Sequence, residues 1–167
     1  RISDNSLPPR AKAITNYQNS RYVSTEAQLN GFDAGIILND QGKVAEGAYA
    51  CIFIMRDGVA STPTRTTGIL ESITRECLIE LLGEMGIPVQ ERDVDRTELY
   101  VADEAFLCGT LIELEAVASV DHYTLGDGGP GPVTRALQAR LEQVVRGRDP
   151  RRRHWLTPVH AKAGAPA

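Results

Sequence analysis

A mixed α/β domain is what this sequence predicts, on three observations. Between residues 35 and 61, short apolar runs are cut by turn signals at strand-like intervals. From residue 72, and again from residue 133, the apolar positions switch to a helical period. The 167-residue chain is 42% apolar and only 24% charged, which suits one domain with a genuine core rather than a disordered chain.

In chain order, residues 1–8 read as a linker and residues 9–159 as the body. Gly35-Ile36-Ile37-Leu38 is a compact apolar strand, turned at Asp40-Gln41-Gly42 into a second strand through Val44. The run from Ala50 to Met55 then turns at Arg56-Asp57-Gly58 into Val59-Ala60-Ser61, a hairpin pattern, so this region reads as a meander. From Ser72 a helix places Ile73, Cys77, Leu78, Leu81 and Leu82 on one stripe, is ended by Gly83 and Gly86, and is closed by Pro88. Strand-like runs return at 88–90, 104–108 and 112–120. A second helix at 133–145 turns Val133, Leu137, Leu141, Val144 and Val145 inward, after the Gly- and Pro-rich loop at 126–132. Residues 160–167, rich in Ala, Gly and Pro, read as a flexible tail.

Charge and composition narrow the function classes. A net charge of -4 disfavours a nucleic-acid role, and the five arginines between Arg146 and Arg153 read as a solvated loop. No apolar run is long enough to cross a bilayer and the start lacks a signal-peptide pattern, which makes the cytoplasm the default and a membrane role unexpected. Cys51, Cys77 and Cys108 have neither disulfide-framework nor zinc spacing, so reduced, buried thiols are expected and no metal.

Lys12 stands out among only three lysines. Lys43 follows a turn and Lys162 lies in the tail, whereas Lys12 sits between Ala11 and Ala13, ahead of Ile14-Thr15-Asn16-Tyr17. A lysine among small apolar residues can give up its proton readily, which an amine needs before it attacks an aldehyde.

Eight ordered patches now come together: Lys12; Asn16-Tyr17; Glu46-Gly47; Gly68-Ile69-Leu70-Glu71-Ser72-Ile73-Thr74-Arg75; Ala102-Asp103-Glu104; Cys108-Gly109-Thr110; Gly131-Pro132-Val133-Thr134; and Trp155-Leu156-Thr157-Pro158-Val159. Over roughly residues 10–159 this order resembles the class IV pyridoxal-phosphate enzymes of fold type IV, and the branched-chain aminotransferases among them most. The resemblance implies the large domain of that fold, a pseudo-barrel of short strands with surrounding helices. It implies pyridoxal 5'-phosphate as cofactor, amino acid and 2-oxo acid as substrates, and a homodimer.

The resemblance also assigns roles. Lys12 takes the place of the Schiff-base lysine, anchor and proton shuttle in one. Glu46 matches the acid paired with the pyridine nitrogen, and Tyr17 the tyrosine that hydrogen-bonds the ring's phenolic oxygen. Ile73 and Thr74, at a helix start, and Thr110 match the phosphate donors. The backbone of Leu111 corresponds to a position that meets the substrate carboxylate. Taken singly, these residues have plainer readings: Glu46 as a strand-end surface residue, Tyr17 as a core-edge aromatic, Thr74 and Thr110 as helix-start and turn residues. Glu113 and the Asp103-Glu104 pair read as structural.

Departures from the family pattern are equally legible. The amino-terminal small domain is absent from this chain, so a complete enzyme requires it on a separate polypeptide, or the chain is a fragment. Ala50-Cys51 replaces the usual Glu-Asn, Ser72 a usual glycine, and Leu111-Ile112 the usual small residues. Alternatives that keep the same lysine and glutamate are an aminodeoxychorismate lyase or a D-amino-acid aminotransferase. A catalytically silent subunit that assembles with a partner chain is the alternative outside enzymes.

Overall fold

A computed structural model describes residues 3–159. The tail expected at 160–167 and the first two residues of the expected linker lie outside the described residues. The centre of the molecule is a five-stranded mixed sheet in the order β5-β4-β3-β6-β7, made of β3 (Cys51–Arg56), β4 (Val59–Thr62), β5 (Val89–Glu91), β6 (Glu104–Gly109) and β7 (Glu113–Ala116). The middle strand β3 is buried on both faces, which is why its sequence is an unbroken apolar run rather than an alternation. Cys51, Phe53 and Met55 face one cluster with Phe106 and Cys108, while Ile52 and Ile54 face a second with Val44, Val94, Leu99 and Ala105. The β3–β4 turn has positive φ at both Asp57 and Gly58, the tight-hairpin conformation, and Asp103 accepts the Asp57 amide at 2.9 Å.

Strands β4 and β5 run parallel, with Ala60 opposite Val89, so the chain must cross over between them. The crossover is α2 (Ile73–Glu84), capped by the Ser72 hydroxyl, which accepts the Arg75 amide. Its inner face is Arg75, Leu78, Leu81 and Leu82. Ile73, expected on that stripe, is instead 81% exposed at the first position of the helix, and Arg75 takes the buried place in the first turn. Gly83 does not end the helix; Gly86 does, at φ 74°. The last helix, α3 (Pro132–Val145), packs Leu137, Leu141 and Val144 against the same side of the sheet, while Val145 is largely exposed.

Around this core sit smaller pieces. β1 (Ile36–Leu38) and β2 (Val44–Gly47) form a separate antiparallel pair with a register shift at Ile37/Leu38, and β8 (Ser119–Val120) pairs with β9 (Tyr123–Thr124). The segment read as one strand at 112–120 is thus broken into β7 and β8. A third helix, α1 (Tyr17–Leu29), was not evident from the pattern: it buries only Ser20, and no side chain caps its first turn. The arginine-rich stretch is not simply solvated either. Arg152 stacks over Trp155 at 4.3 Å and pairs with Glu80 and Glu84 of α2, fastening the 3-10 turn at Pro150–Trp155 to the body. Cys51 and Cys108 are free and buried, directly opposite one another across β3 and β6, whereas Cys77 is only half-buried.

Candidate active site

Lys12, Tyr17, Glu46, Ile73, Thr74, Thr110 and Leu111 lie on segments linked by a few contacts, and the stretch Leu70-Glu71 ties several of those segments together. Arg10 donates to the Glu71 carboxylate at 2.8 Å and to the Arg65 carbonyl at 3.2 Å, fixing the chain just before Lys12. The adjacent Leu70 amide donates to the Glu46 carboxylate at 3.0 Å. The Asn16 side chain donates to the carbonyls of Pro8 and Ala11 at 2.8 and 2.9 Å, folding the lysine loop on itself ahead of α1. Tyr17, the first residue of α1, stacks nearly parallel on Tyr49 with ring centroids 6.2 Å apart, and Tyr49 lies just past the end of β2.

Lys12 itself is exposed, so the small apolar neighbours do not enclose its amine as the sequence suggested. Among the described residues no hydrogen bond or ion pair occupies it. A tethered backbone with a free amine is what a covalent anchor requires.

Glu46 carries the most unusual electrostatics of the group. Burial pushes its carboxyl from the usual 4.5 up to about 7, against the opposing effect of the Leu70 amide. Among the described residues its second oxygen has no hydrogen-bond partner and no cation faces it. A desolvated carboxylate with one satisfied oxygen is an open acceptor for a cationic N–H, which would also bring its pKa back down. Glu46, next to the end of β2, is thus half-buried rather than fully exposed.

Next to it, the Cys51 thiol lies 3.7 Å from the Leu70 carbonyl, so residue 51 still touches the site with sulfur where the family pattern has an amide. Ile73 and Thr74 open α2, where the first amides of a helix lack intrahelical acceptors. Thr110 and Leu111 occupy the exposed turn between β6 and β7. The 109–110 turn lies beside the segment leaving β2: a Cβ on Gly109 would stand 3.5 Å from the Tyr49 carbonyl, ordinary van der Waals contact. Leu111 is 95% exposed, so its side chain meets nothing in this chain; only its backbone is held by the turn.

A concavity of about 730 Å³ lies elsewhere, lined by Val23, Phe32, Ile36, Val117 and His122 among others, and none of the singled-out residues borders it. Chemistry and cavity size thus point to different places, and the open face with the half-buried carboxylate is the better candidate, because it carries the lysine, whereas the cavity's titratable lining, His122, Arg96 and several carboxylates, includes no lysine. The residue missed by sequence reading is Arg75. It is 1% exposed and anchors the start of α2. The signal was there: residues 75, 78 and 82 share one helical stripe with the buried leucines.

The family model described as "Amino-transferase class IV" matches residues 1–120. The chain belongs to the class IV aminotransferases. It is 46% identical over 163 residues to a protein of Aquifex aeolicus (strain VF5) named a probable branched-chain-amino-acid aminotransferase, covering 97% of this chain and 52% of that one. The branched-chain amino acid aminotransferase of Thermobaculum terrenum, solved in its PLP (holo) form, superposes with a TM-score of 0.94 at 53% identity, over 96% of this chain and 53% of that one. The branched-chain aminotransferase of the thermophilic archaeon Thermoproteus uzoniensis, solved with norvaline, gives 0.92 at 41% identity, over 96% and 53% respectively. This class IV chain therefore spans about half the length of the relatives it matches. Its mixed α/β architecture is that of fold-type IV aminotransferases.

Proposed function

We propose that this chain is the cofactor-holding half of a pyridoxal 5'-phosphate-dependent transaminase, moving an amino group between a branched-chain or other hydrophobic amino acid and a 2-oxo acid. The observation that carries the reading is the half-buried carboxylate of Glu46, with one oxygen left without a hydrogen-bond partner among the described residues, held by the same Leu70-Glu71 stretch that, through Arg10, holds the lysine loop. When bound, pyridoxal phosphate supplies an electron sink for the charge left at the substrate alpha carbon. Its ring nitrogen, a cationic N–H, fits the free oxygen of Glu46, and its dianionic phosphate fits the open helix start of α2. The family membership and the named relatives support the same group.

Each residue then has one task. Lys12 Nζ would hold the cofactor's aldehyde and would carry the proton at the substrate alpha carbon. Glu46 keeps a proton on the ring nitrogen. The Tyr17 hydroxyl donates toward the ring's phenolic oxygen. Backbone amides of Ile73 and Thr74, with the hydroxyls of Thr74 and Thr110, hold the phosphate, and the Leu111 backbone meets the substrate carboxylate. Residues 9–159 form the cofactor-binding body, residues 1–8 the connection to the domain that completes the pocket in the relatives, and residues 160–167 a tail. The active species is a homodimer in the cytoplasm, with the missing half of the pocket on the same or a separate polypeptide.

The test is optical. Purified protein given pyridoxal phosphate should turn yellow, borohydride should bleach it, and peptide mapping should find the reduced adduct on Lys12. The Lys12→Ala variant should fold, stay colourless and lose turnover altogether. A wild-type protein that stays colourless supports the catalytically silent reading instead, and transamination surviving in Lys12→Ala removes the lysine from the mechanism.

A further inference from the structure

Arg75 is the least expected side chain in the core: a guanidinium 1% exposed, one residue past the amides of Ile73 and Thr74. Its polar groups are spent on geometry. Its Nε donates to Thr62 Oγ1 at 3.2 Å, its Nη2 to the Pro63 carbonyl at 2.9 Å and to the Glu91 carboxylate at 2.8 Å, and its own amide to Ser72 Oγ at 3.3 Å. Thr62 in turn donates to the Ile52 carbonyl at 2.8 Å. One side chain therefore ties the first turn of α2 to β3, β4 and β5 together.

Burying a guanidinium is costly, and an apolar residue at this position of the stripe would fill the core without that cost. Its sole anionic partner among the described residues, Glu91, is 43% exposed and shared with water, so the positive charge under the helix start is incompletely offset. The field reaches the neighbouring strand: the Cys51 thiol is drawn down first by its hydrogen bond with Cys108, and Arg75's charge acts on it in the same direction.

We propose that Arg75 is the positioning residue of the phosphate-receiving turn, holding Ser72-Ile73-Thr74 in place from beneath and lending that turn positive potential without touching the ligand. The inference rests on the proposed cofactor reading and adds a residue to it.

Pyridoxal 5'-phosphate and pyridoxal share the aldehyde and the ring and differ in the phosphate, so the ratio of their affinities isolates this turn. Borohydride-reducible uptake of each is titrated in wild type, Arg75→Lys, Arg75→Met and Thr62→Val, with inorganic phosphate as competitor and circular dichroism as the check on folding. Arg75→Met should lose roughly tenfold or more of the preference for the phosphorylated aldehyde, about the effect of one charge-assisted contact, while its affinity for pyridoxal stays at the wild-type level. Arg75→Lys should retain part of the preference through its charge. Should Arg75→Met fail to fold, Thr62→Val, which removes the hydroxyl between Arg75 Nε and the Ile52 carbonyl while leaving the arginine in place, should still lose about threefold. Wild-type preference and wild-type phosphate competition in both Arg75→Lys and Thr62→Val would overturn the proposal, because a purely structural arginine leaves the ratio unchanged. A wild-type protein that takes up neither aldehyde sinks the cofactor reading itself, and this inference with it.

Discussion

In the proposed role, Glu46 serves the cofactor at the expense of the cofactor-free fold. Its carboxyl sits at about 7 rather than 4.5 because burial penalises its charge. The folded protein thus binds this proton more tightly than the unfolded chain does. Stability falls as pH rises from about 4.5 to about 7, the span between the two values, and is level above it. Without cofactor, Glu46→Gln should therefore be more stable than wild type at pH 8 by about 1–3 kcal/mol, a figure discounted for partial exposure, and the gap should close near pH 4.5. Glutamine still accepts the Leu70 amide, so the comparison isolates the charge. Urea titrations across this range are the measurement, and parallel pH profiles for the two proteins would count against the assignment. In the loaded enzyme the order reverses: the neutral amide cannot keep the ring nitrogen protonated, and proton transfer at the substrate alpha carbon should slow by roughly a hundredfold.

Among the elements, α3 shows how a carboxylate that resembles a catalytic acid can be structural. Glu104, at the start of β6, accepts the amides of Val133 and Thr134 at 3.0 and 2.8 Å and the Thr134 hydroxyl at 2.6 Å, capping the helix from the sheet. Gly131 makes room, since a Cβ there would fall 2.1 Å from the Glu104 side chain. Glu104→Ala should cost about 2–3 kcal/mol in urea unfolding and leave cofactor uptake intact, because α3 carries none of the proposed site residues. A variant that kept its stability but lost the chromophore would move Glu104 into the site. The same elements show what the sequence could disclose. β3, α2 and α3 were legible because each buries an apolar run or stripe of its own. α1 was not, since it buries only Ser20 fully and packs Val23 against a small cluster, with no apolar stripe of its own, and the Asn16 side chain turns back to Pro8 and Ala11 rather than capping it. Lys12, Tyr17, Glu46 and the helix start were found as an ordered set of motifs, while the burial that sets the Glu46 proton and the bonds that spread from Arg75 arise only when distant strands meet.

Taken whole, the molecule leaves its reactive face rimmed with apolar side chains. Ile14 in the lysine loop, Tyr49 beside Tyr17, Ile73 at the helix start and Leu111 after Thr110 are all exposed, Ile14 by 87%. Each belongs to a segment linked to the next through Arg10–Glu71, Leu70–Glu46, Tyr17–Tyr49 or Gly109–Tyr49, so they are neighbours through these links rather than a random scatter. Single exposed apolar residues are ordinary, but a group around one site marks a surface made to be covered. The relatives are about twice as long as the part this chain matches, which supports a further domain as the natural cover. Without it, hydrophobic attraction should drive the chain to associate through this face. Light scattering after size exclusion should show mass rising with concentration, and Ile73→Ser with Leu111→Ser should shift the protein toward monomer. Only the backbones of these two residues are assigned to ligands, so the double variant should still take up pyridoxal phosphate on Lys12. A wild-type chain that stays monomeric at all concentrations would mean that the rim is tolerated in water, and the case for a covering domain would then rest on the relatives' length alone.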